Sequence, residues 1–375
     1  MHDLTLNADS IGDDSSPPPF FIVGSGRSGS TLLRMMLASH SRIVIPPETW
    51  FLLPLIEQLP IDRVLAKDEV EKAIAIMTSH YRWPDLKIST EELREKAHRL
   101  KDARIADLAQ IVYRFHAMTA GKIRWGDKTP PYVRIVPQLS AMFPGARFIY
   151  LVRDGRDVTK SFQSLKIYGL TIHQNTIEWL VANRWERKWA TSEYAGAILR
   201  VHYEELIRNS ERTLREICRF IGEDFEPQML AWQKSVEDMV PKRELHVHQK
   251  LKRPSNFDDI ERWKREMSSR EIFVAEAFIG RDLRRLGYAR RFQSLLWKPV
   301  LWLTRLYCNV VWRLLPEWAV SAVTRFLHDE RGAGADKVVA PPLSEGGSGL
   351  PDNPVQAAPG AVDPSEGWWK RFRRR

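Results

Sequence analysis

Two stretches of the chain carry residue types at spacings that suit the binding of anions. In the first, the turn Gly24-Ser25-Gly26-Arg27-Ser28-Gly29-Ser30-Thr31 follows Phe20-Phe21-Ile22-Val23 and precedes Leu32-Leu33-Arg34-Met35-Met36-Leu37-Ala38. Four apolar residues in a row read as a buried parallel strand, and the stretch after the turn reads as a helix. Glycines let backbone approach an anion closely because no Cβ intervenes. A helix N-terminus behind such a turn aims its N–H groups at the anion, and Ser28, Ser30 and Thr31 add hydroxyl donors. In the second stretch, the strand Arg147–Val152 leads into Arg153-Asp154-Gly155-Arg156-Asp157. Val158-Thr159-Lys160-Ser161-Phe162 then starts a helix, with Asp157 as its N-cap. Arg153 ends the strand and Ser161 lies in the first turns of the helix, so both can face one anion. Arginine suits phosphate because its planar fork makes two parallel bonds and is always charged. The alternative is a solvated turn whose arginines and aspartates pair with one another.

The first turn invites comparison with the nucleotide-binding pattern G-x-x-x-x-G-K-[ST]. Gly24, Gly29 and Thr31 fit it, but the lysine position holds Ser30, and the turn's cation is Arg27. An NTPase without that lysine loses the charge that reaches the β- and γ-phosphates. The turn therefore reads as an anion-binding loop rather than an NTPase loop. A tight strand–helix turn with chance glycines is the bland alternative.

The elements that must position these residues alternate between strand and helix, which predicts an α/β fold with a parallel sheet flanked by helices. Ile43-Val44-Ile45 is a short strand stopped by Pro46-Pro47, and Glu48-Thr49-Trp50-Phe51-Leu52-Leu53 opens a helical region. Residues 55–120 read as a helical insert, with a cap opening the stretch Thr90–Ala97. Nothing in the insert reads as chemistry, and it is expected to cover the site and take part in choosing the substrate. Lys122–Pro130 is a strand entering a helix that opens with proline. Lys128 then lies at the C-terminal edge of the sheet, where ligands of open α/β sheets bind; an ordinary surface lysine is the alternative. Leu199–Leu206 is a further strand-to-helix unit, Asn209–Gly222 an amphipathic helix ended by glycine, and Ser268–Leu286 the last helix of the core, stopped by Gly287.

The chain has 375 residues, 43% hydrophobic and 28% charged, as in a soluble globular protein large enough for a substantial core. The net charge of +10 favours polyanionic partners: nucleic acid, an acidic membrane surface, or a nucleotide with several phosphates; no specific nucleic-acid partner is read. With two cysteines, Cys218 and Cys308, neither a disulfide framework nor a cysteine metal site is indicated. Residues 1–19 read as a disordered N-terminus without the basic start and apolar run of a signal peptide, so a cytoplasmic location is expected. Residues 20–290 form the main domain and 291–330 a helical extension. From Pro299 to Leu315 the extension is apolar, but Arg305, Asn309 and Arg313 interrupt it and it is too short to span a membrane. With Lys298, these polar residues share one stripe of a helix and leave a wide tryptophan-rich face. That face either packs on the core or on a second subunit of a homodimer, or lies in a membrane interface peripheral to the inner face. Residues 331–375 read as a disordered tail whose end, Trp368–Arg375, is a second basic-aromatic anchor for anionic lipid.

A family resemblance rests on the two anion-binding stretches. G-S-G-R-S-G-S-T-L-L resembles the 5′-phosphosulfate loop of sulfotransferases that use 3′-phosphoadenylyl sulfate (PAPS). Arg27 stands where cytosolic members have lysine, as in Golgi-type and many bacterial members, and Ser30 replaces the first threonine of R-S-G-T-T. F-I-Y-L-V-R-D-G-R-D-V-T-K-S-F resembles the family's 3′-phosphate motif, and V-H-Y-E-E-L its V-x-Y-E-x-L segment. The resemblance covers residues 20–290 and implies the P-loop-like sulfotransferase fold, with PAPS as co-substrate and no metal required. It places Gly26, Arg27, Ser28, Gly29, Ser30 and Thr31 at the 5′ end, Arg153 and Ser161 on the 3′-phosphate, and Tyr203 near the adenine. An ordinary half-buried tyrosine is the alternative for Tyr203.

Cytosolic members use a histidine base, whereas tyrosylprotein-type members carry a glutamate just after the second strand, where this chain has Glu48. The resemblance implies that Glu48 is the base, provided burial raises its pKa toward neutrality; an acid favoured by a helix's first turn is the alternative. Lys128 fits a second cation near the bridging oxygen, and Arg27 a stabiliser of the leaving group. In the family a basic loop covers the nucleotide. The R-K-G-x-x-G-D-W-K form is absent here, and the covering cation within 242–265 stays unassigned. The implied reaction is transfer of a sulfuryl group from PAPS to a hydroxyl of a glycolipid, saccharide, small molecule or peptide tyrosine. A P-loop kinase of small molecules and a non-catalytic, membrane-associated nucleotide-binding protein are the alternatives.

Overall fold

The computed structural model describes residues 17–165, 172–235 and 260–293, and beyond these 297, 299–304 and 306. Its centre is the strand β1 (Phe20–Gly24), every residue of which is buried. β3 (Arg124–Lys128) and β4 (Arg147–Val152) flank β1, and the edges are β2 (Ile43–Val44) and β5 (Ile198–His202). The order is β2-β3-β1-β4-β5 and all pairings are parallel. Period-2 alternation explains why β1 is apolar throughout. Phe20 and Ile22 pack with Leu33, Met36, Leu206 and Leu214 on one side of the sheet. Phe21 and Val23 pack with Phe148, Trp179 and Phe278 on the other.

The chain moves outward from β1 to β2, returns to β3, and then crosses to β4. The strand order thus reverses beside β1, and the C-terminal ends of the strands open a crevice at this switch point. Register brings the critical residues to the same level: Ile22 lies beside Lys128, Gly24 beside Leu151, and Val152 beside His202.

Around the sheet run α1 (Ser30–Ala38), α2 (Leu52–Gln58), α3 (Lys67–Thr78), α4 (Thr90–His98), α5 (Ile105–Thr119), α6 (Val136–Met142), α7 (Gly155–Leu165) and α8 (Ile172–Ala190). They are followed by α9 (Tyr203–Arg208), α10 (Ser210–Ile221), α11 (Trp263–Glu266) and α12 (Ser269–Arg285). The insert is α3, α4 and α5. Its apolar faces, among them Ile74, Met77, Leu93 and Ile111, are fully or almost fully buried in the cluster that holds Phe51, Leu52 and Leu55. Ser89, one residue before the predicted start, caps α4 by accepting from Glu92 N at 3.0 Å.

The helix after β4 begins earlier than its sequence suggests. Asp154 Oδ1 accepts the N–H of Arg156 at 2.9 Å, so Asp154 performs the capping expected of Asp157. Asp157 instead lies inside the first turn and accepts from Trp263 N at 2.8 Å, which ties α11 to α7. Arg156 bridges Asp154 at 2.7 Å and Glu276 at 2.8 Å and donates to Ala289 O. This buried set joins α7 to α12, and removing one member would leave an uncompensated buried charge.

Helical backbone recurs at 297, 299–304 and 306. Leu301 is buried, whereas Trp297, Val300, Trp302, Leu303 and Leu306 are exposed. The Trp297 ring meets Phe273 and Phe292 edge-on at 5.6 and 5.4 Å. Residues 1–16, the basic segment 236–259, Lys298, Arg305 and everything beyond residue 306 lie outside the described residues. No described helix is long and apolar enough to cross a membrane.

Candidate active site

The turn after β1 is shaped by two residues in the left-handed region, Arg27 (φ 64°) and Gly29 (φ 96°). At Gly29 a side chain is excluded twice over. The φ value favours glycine, and an added Cβ would fall 2.3 Å from the Tyr203 ring. Gly29 is also the N-cap of α1, which has no side-chain cap and no acid in its first turn. The N–H groups of that turn are the donors a helix leaves unsatisfied, and Ser30 and Thr31 flank them. Ser28 departs from expectation. Its hydroxyl is buried and donates to Ser25 O at 2.8 Å, so its proton closes the loop instead of facing the crevice.

The two turns meet. Arg27 Nε donates to Ser161 Oγ at 3.2 Å. Arg153 lies 3.6 Å from Asp157 Oδ2, and its guanidinium stacks 4.5 Å above the Tyr203 ring. Burial pushes Asp157 up to about 6 although Arg153 opposes the shift. Tyr203, the first residue of α9, is thus a buried spacer between Gly29 and Arg153.

A second group gathers where β2 and β3 end. Glu48 pairs with Lys128 through Oε1, accepts the Trp50 indole N–H on Oε2 at 2.8 Å, and has Arg82 at 3.6 Å. Lys128 Nζ also lies 3.4 Å from Thr31 Oγ1, which places the group beside the N-terminus of α1. Burial by itself would raise the Glu48 pKa. The charges of Lys128 and Arg82, with hydrogen bonds from Lys128 and Trp50, outweigh it and hold the carboxyl at about 2. The expected rise toward neutrality is therefore not found, because the partners' charges override burial.

Behind Glu48, the side chain of Thr49 is clamped to β3 and its surroundings. Its hydroxyl donates to Asp127 Oδ2 at 2.7 Å and sits 2.8 Å from Tyr132 Oη, while its N–H donates to Thr129 Oγ1. Tyr113 Oη also donates to Asp127 Oδ2, at 3.1 Å. Burial raises Asp127 to about 6, the three hydroxyls of Thr49, Thr129 and Tyr113 notwithstanding. Sequence reasoning missed this clamp, and it missed Trp50 and Arg82. Arg82 lies in a turn of the insert, where no period or motif marks it, so the insert does contribute to the site. Among the described residues, no group of three or more His, Cys, Asp or Glu could hold a metal.

Residues 18–227 match the family described as the sulfotransferase family, a span that contains both turns, Glu48, Lys128 and Tyr203. The chain belongs to that family. The sulfotransferase is 27% identical over 284 residues to protein-tyrosine sulfotransferase 1 of Danio rerio, covering 72% of each chain. It is likewise 27% identical over 292 residues to protein-tyrosine sulfotransferase 1 of Homo sapiens, covering 72% of this chain and 70% of that one. Among solved structures it is similar to the sulfotransferase domain from the Synechococcus PCC 7002 olefin synthase. There the identity is 25% and the TM-score 0.50, over 71% of this chain and 96% of the domain. The parallel sheet flanked by helices is thus the sulfotransferase fold.

The clamp on Thr49 yields a stability prediction for the sulfotransferase. Thr49→Val removes the hydroxyl that Asp127 and Tyr132 share inside the core, at a cost of about 1–3 kcal/mol for groups left unsatisfied. Urea unfolding of the variant should show a correspondingly lower midpoint with an unchanged slope.

Proposed function

We propose that this sulfotransferase moves a sulfuryl group from PAPS to the hydroxyl of an acceptor. The observation that carries the reading is the bond from Arg27 to Ser161, which makes two anion-binding turns into one crevice with Glu48 and Lys128 at its end. The residues fit the co-substrate. The backbone at Gly29 has the space and conformation that close approach to a phosphate needs, and the first turn of α1 is uncapped. Relatives that are protein-tyrosine sulfotransferases support the same reaction class.

In this reading Gly26 to Thr31 hold the 5′ end, Arg153 and Ser161 hold the 3′-phosphate, and Tyr203 sets the distance between the two sites. PAPS supplies a sulfuryl group on a phosphate that is a good leaving group. Arg27, Ser30, Thr31 and the loop amides stabilise the charge that develops on that phosphate. Lys128, beside Thr31, would supply a second cation near the bridging oxygen. Glu48 is ionised and so in the right state to receive the acceptor's proton. The acceptor oxygen forms a bond to sulfur, the sulfur–phosphate oxygen bond breaks, and the proton passes to Glu48. Lys128 and Arg82 then have less negative charge to hold on Glu48, and more is available to them elsewhere in the crevice.

Exposed tryptophan and leucine at the start of the extension favour a second, separate reading, peripheral attachment to an anionic membrane. Trp302 and Leu303 are 63% and 55% exposed, and the sequence around them is basic, with a second basic-aromatic cluster at Trp368–Arg375. Two weak anchors together suffice for stable attachment.

Three measurements test these readings. Arg153→Ala should weaken binding of adenosine 3′,5′-bisphosphate by about 2–4 kcal/mol, the scale for a desolvated charge pair; titration calorimetry against the wild type, with ATP and Mg²⁺ as the kinase control, reads it out. Glu48→Gln should leave nucleotide binding intact and lower the turnover of PAPS by about 10²–10⁴. Co-sedimentation with vesicles containing phosphatidylglycerol should retain the full chain and release a chain ended at Arg291.

A further inference from the structure

Arg153, Asp157 and Ser161 follow one another at four-residue steps, so Asp157 and Ser161 share one face of α7 and Arg153 lies at its foot. Arg153 comes within 3.6 Å of Asp157 Oδ2. Ser161 is buried and accepts from Arg27 at 3.2 Å. The two residues assigned above to the 3′-phosphate therefore bracket an acid. Asp157 is 1% exposed. Its Oδ1 accepts the Trp263 N–H at 2.8 Å, whereas Oδ2, the oxygen nearer Arg153, is buried and has no hydrogen-bond partner. Buried polar atoms are nearly always paired, and an open one beside a binding residue calls for a partner from outside the chain.

The charges around Asp157 decide what that partner can be. Arg153 acts on it from the end of β4, Arg262 from the start of α11, and Asp154 from its own turn. Asp154 is held by Arg156 at 2.7 Å and Arg262 by Glu266 at 2.8 Å. Burial is the largest influence on Asp157 and lifts its carboxyl to about 6, with Arg153 opposing the shift. At pH 7 the acid is therefore mostly ionised in the free protein. A phosphate drawn to Arg153 and Ser161 only accepts hydrogen bonds, and so does an ionised carboxylate. Side by side in a buried site, two such anions drive one of them to the neutral form.

Resting on the sulfuryl-transfer reading above, we propose that Asp157 is a third residue of the 3′-phosphate site, which takes up a proton from solvent as the phosphate arrives and donates it from Oδ2 to a phosphate oxygen. One proton is consumed per nucleotide bound, and no covalent bond other than that O–H is made or broken. The bond from Trp263 holds Oδ1, so the carboxyl is fixed with its open oxygen on the side of Arg153. A buried carboxylic acid kept neutral so that it can donate a hydrogen bond is sound chemistry in a binding site. With Asp157 neutral, the charge of Arg153 goes to the phosphate. A nucleotide with a 3′-hydroxyl needs no proton, because that hydroxyl can itself donate to the ionised acid. Asp157 thereby ties recognition of the 3′-phosphate to proton uptake.

Titration calorimetry of the full chain reads the proton directly. Adenosine 3′,5′-bisphosphate is titrated at about pH 7.5 in HEPES and in Tris, whose ionisation enthalpies differ, and the difference in heat counts the protons taken up. The wild type should take up close to one proton with the bisphosphate and close to none with adenosine 5′-monophosphate. The nucleotide's own phosphates, with second pKa values of about 6, are almost fully ionised there and contribute equally to every variant. Because binding consumes a proton, wild-type affinity for the bisphosphate should fall by about tenfold from pH 7 to pH 8. Asp157→Asn keeps an acceptor for Trp263 and puts a permanent donor in place of Oδ2. Its affinity should be flat over that range and tighter than the wild type at pH 8 by about tenfold or more, with no proton taken up and 5′-monophosphate affinity unchanged. The wild-type proton count needs no variant, so it carries the test even where Asp157→Asn fails to fold. No uptake by the wild type, uptake retained by Asp157→Asn, or weaker bisphosphate binding by that variant at pH 8 overturns the role of Asp157. If neither protein binds the bisphosphate, the sulfuryl-transfer reading fails and this site with it. Proton uptake with no sulfate passing from PAPS to any acceptor in a cell extract retains Asp157 and sinks that reading instead.

Discussion

The ring of Tyr203 lies against Gly29 on one side and under the Arg153 guanidinium on the other, and the geometry of the crevice follows from that contact. β1 and β4 are adjacent strands, so the turns that leave them lie side by side. Tyr203 leaves the end of β5, next door to β4, and fills the gap with a rigid body. Gly29 must then lack a side chain, which is also what an anion-binding loop needs. One constraint thus serves packing and binding together. The cost of violating it is steric as well as conformational, since the ring cannot retreat from a residue that also stacks on Arg153.

Electrostatics divides the crevice into two parts. In one, Arg27 bonds to Ser161, and Arg153 stacks on Tyr203 beside Asp157, whose burial works against ionisation. In the other, Glu48 is saturated by Lys128, Arg82 and Trp50. The first part is positive and suited to an anion. The second pairs an acid with two cations, and Lys128 also reaches Thr31. A buried carboxylate with several donors is stable in the ionised form, so Glu48 needs no help from burial to be competent, and the price of that stability is weak basicity.

Much of this was legible in the sequence. Strands such as Phe20–Gly24 and Arg147–Val152 announce themselves because a parallel strand covered on both faces must be apolar along its length. The turns after them carry glycine, serine and arginine at informative spacings, and Lys128, Arg153 and Ser161 lie at the strand ends and helix start where local pattern put them. What failed has a common cause. Helix starts depend on which of two nearby aspartates finds a free N–H, so Asp154 rather than Asp157 caps α7. The Glu48 pKa is lowered first by Lys128 and then by Arg82, 80 and 34 positions away in the sequence, and no local rule reaches that far. Ser28 looked like a donor because its type is right, but the direction of a hydroxyl is set by the fold of the loop. Trp50 looked like one apolar residue among several opening a helix, and its left-handed backbone, with φ at 57°, is invisible without the clamp on Thr49.

The missing lysine of the loop can be understood in these terms. In the nucleotide-binding pattern it resembles, a lysine just before the helix brings a compact charge to the phosphates. Here that position is Ser30, the loop's arginine is three residues earlier with φ at 64°, and its side chain crosses the crevice to Ser161. Arginine is a planar fork and suits that bridging task; it is a poor substitute for a point charge. The point charge comes from the neighbouring strand instead, since the register that sets Ile22 beside Lys128 brings the ammonium to 3.4 Å from Thr31 Oγ1. Moving the cation from the loop to β3 also moves it into contact with Glu48. A lysine in the loop would serve the leaving group alone, whereas Lys128 stands between the loop and the acid, so the groups proposed to handle the leaving phosphate and the acceptor proton are coupled through a single side chain.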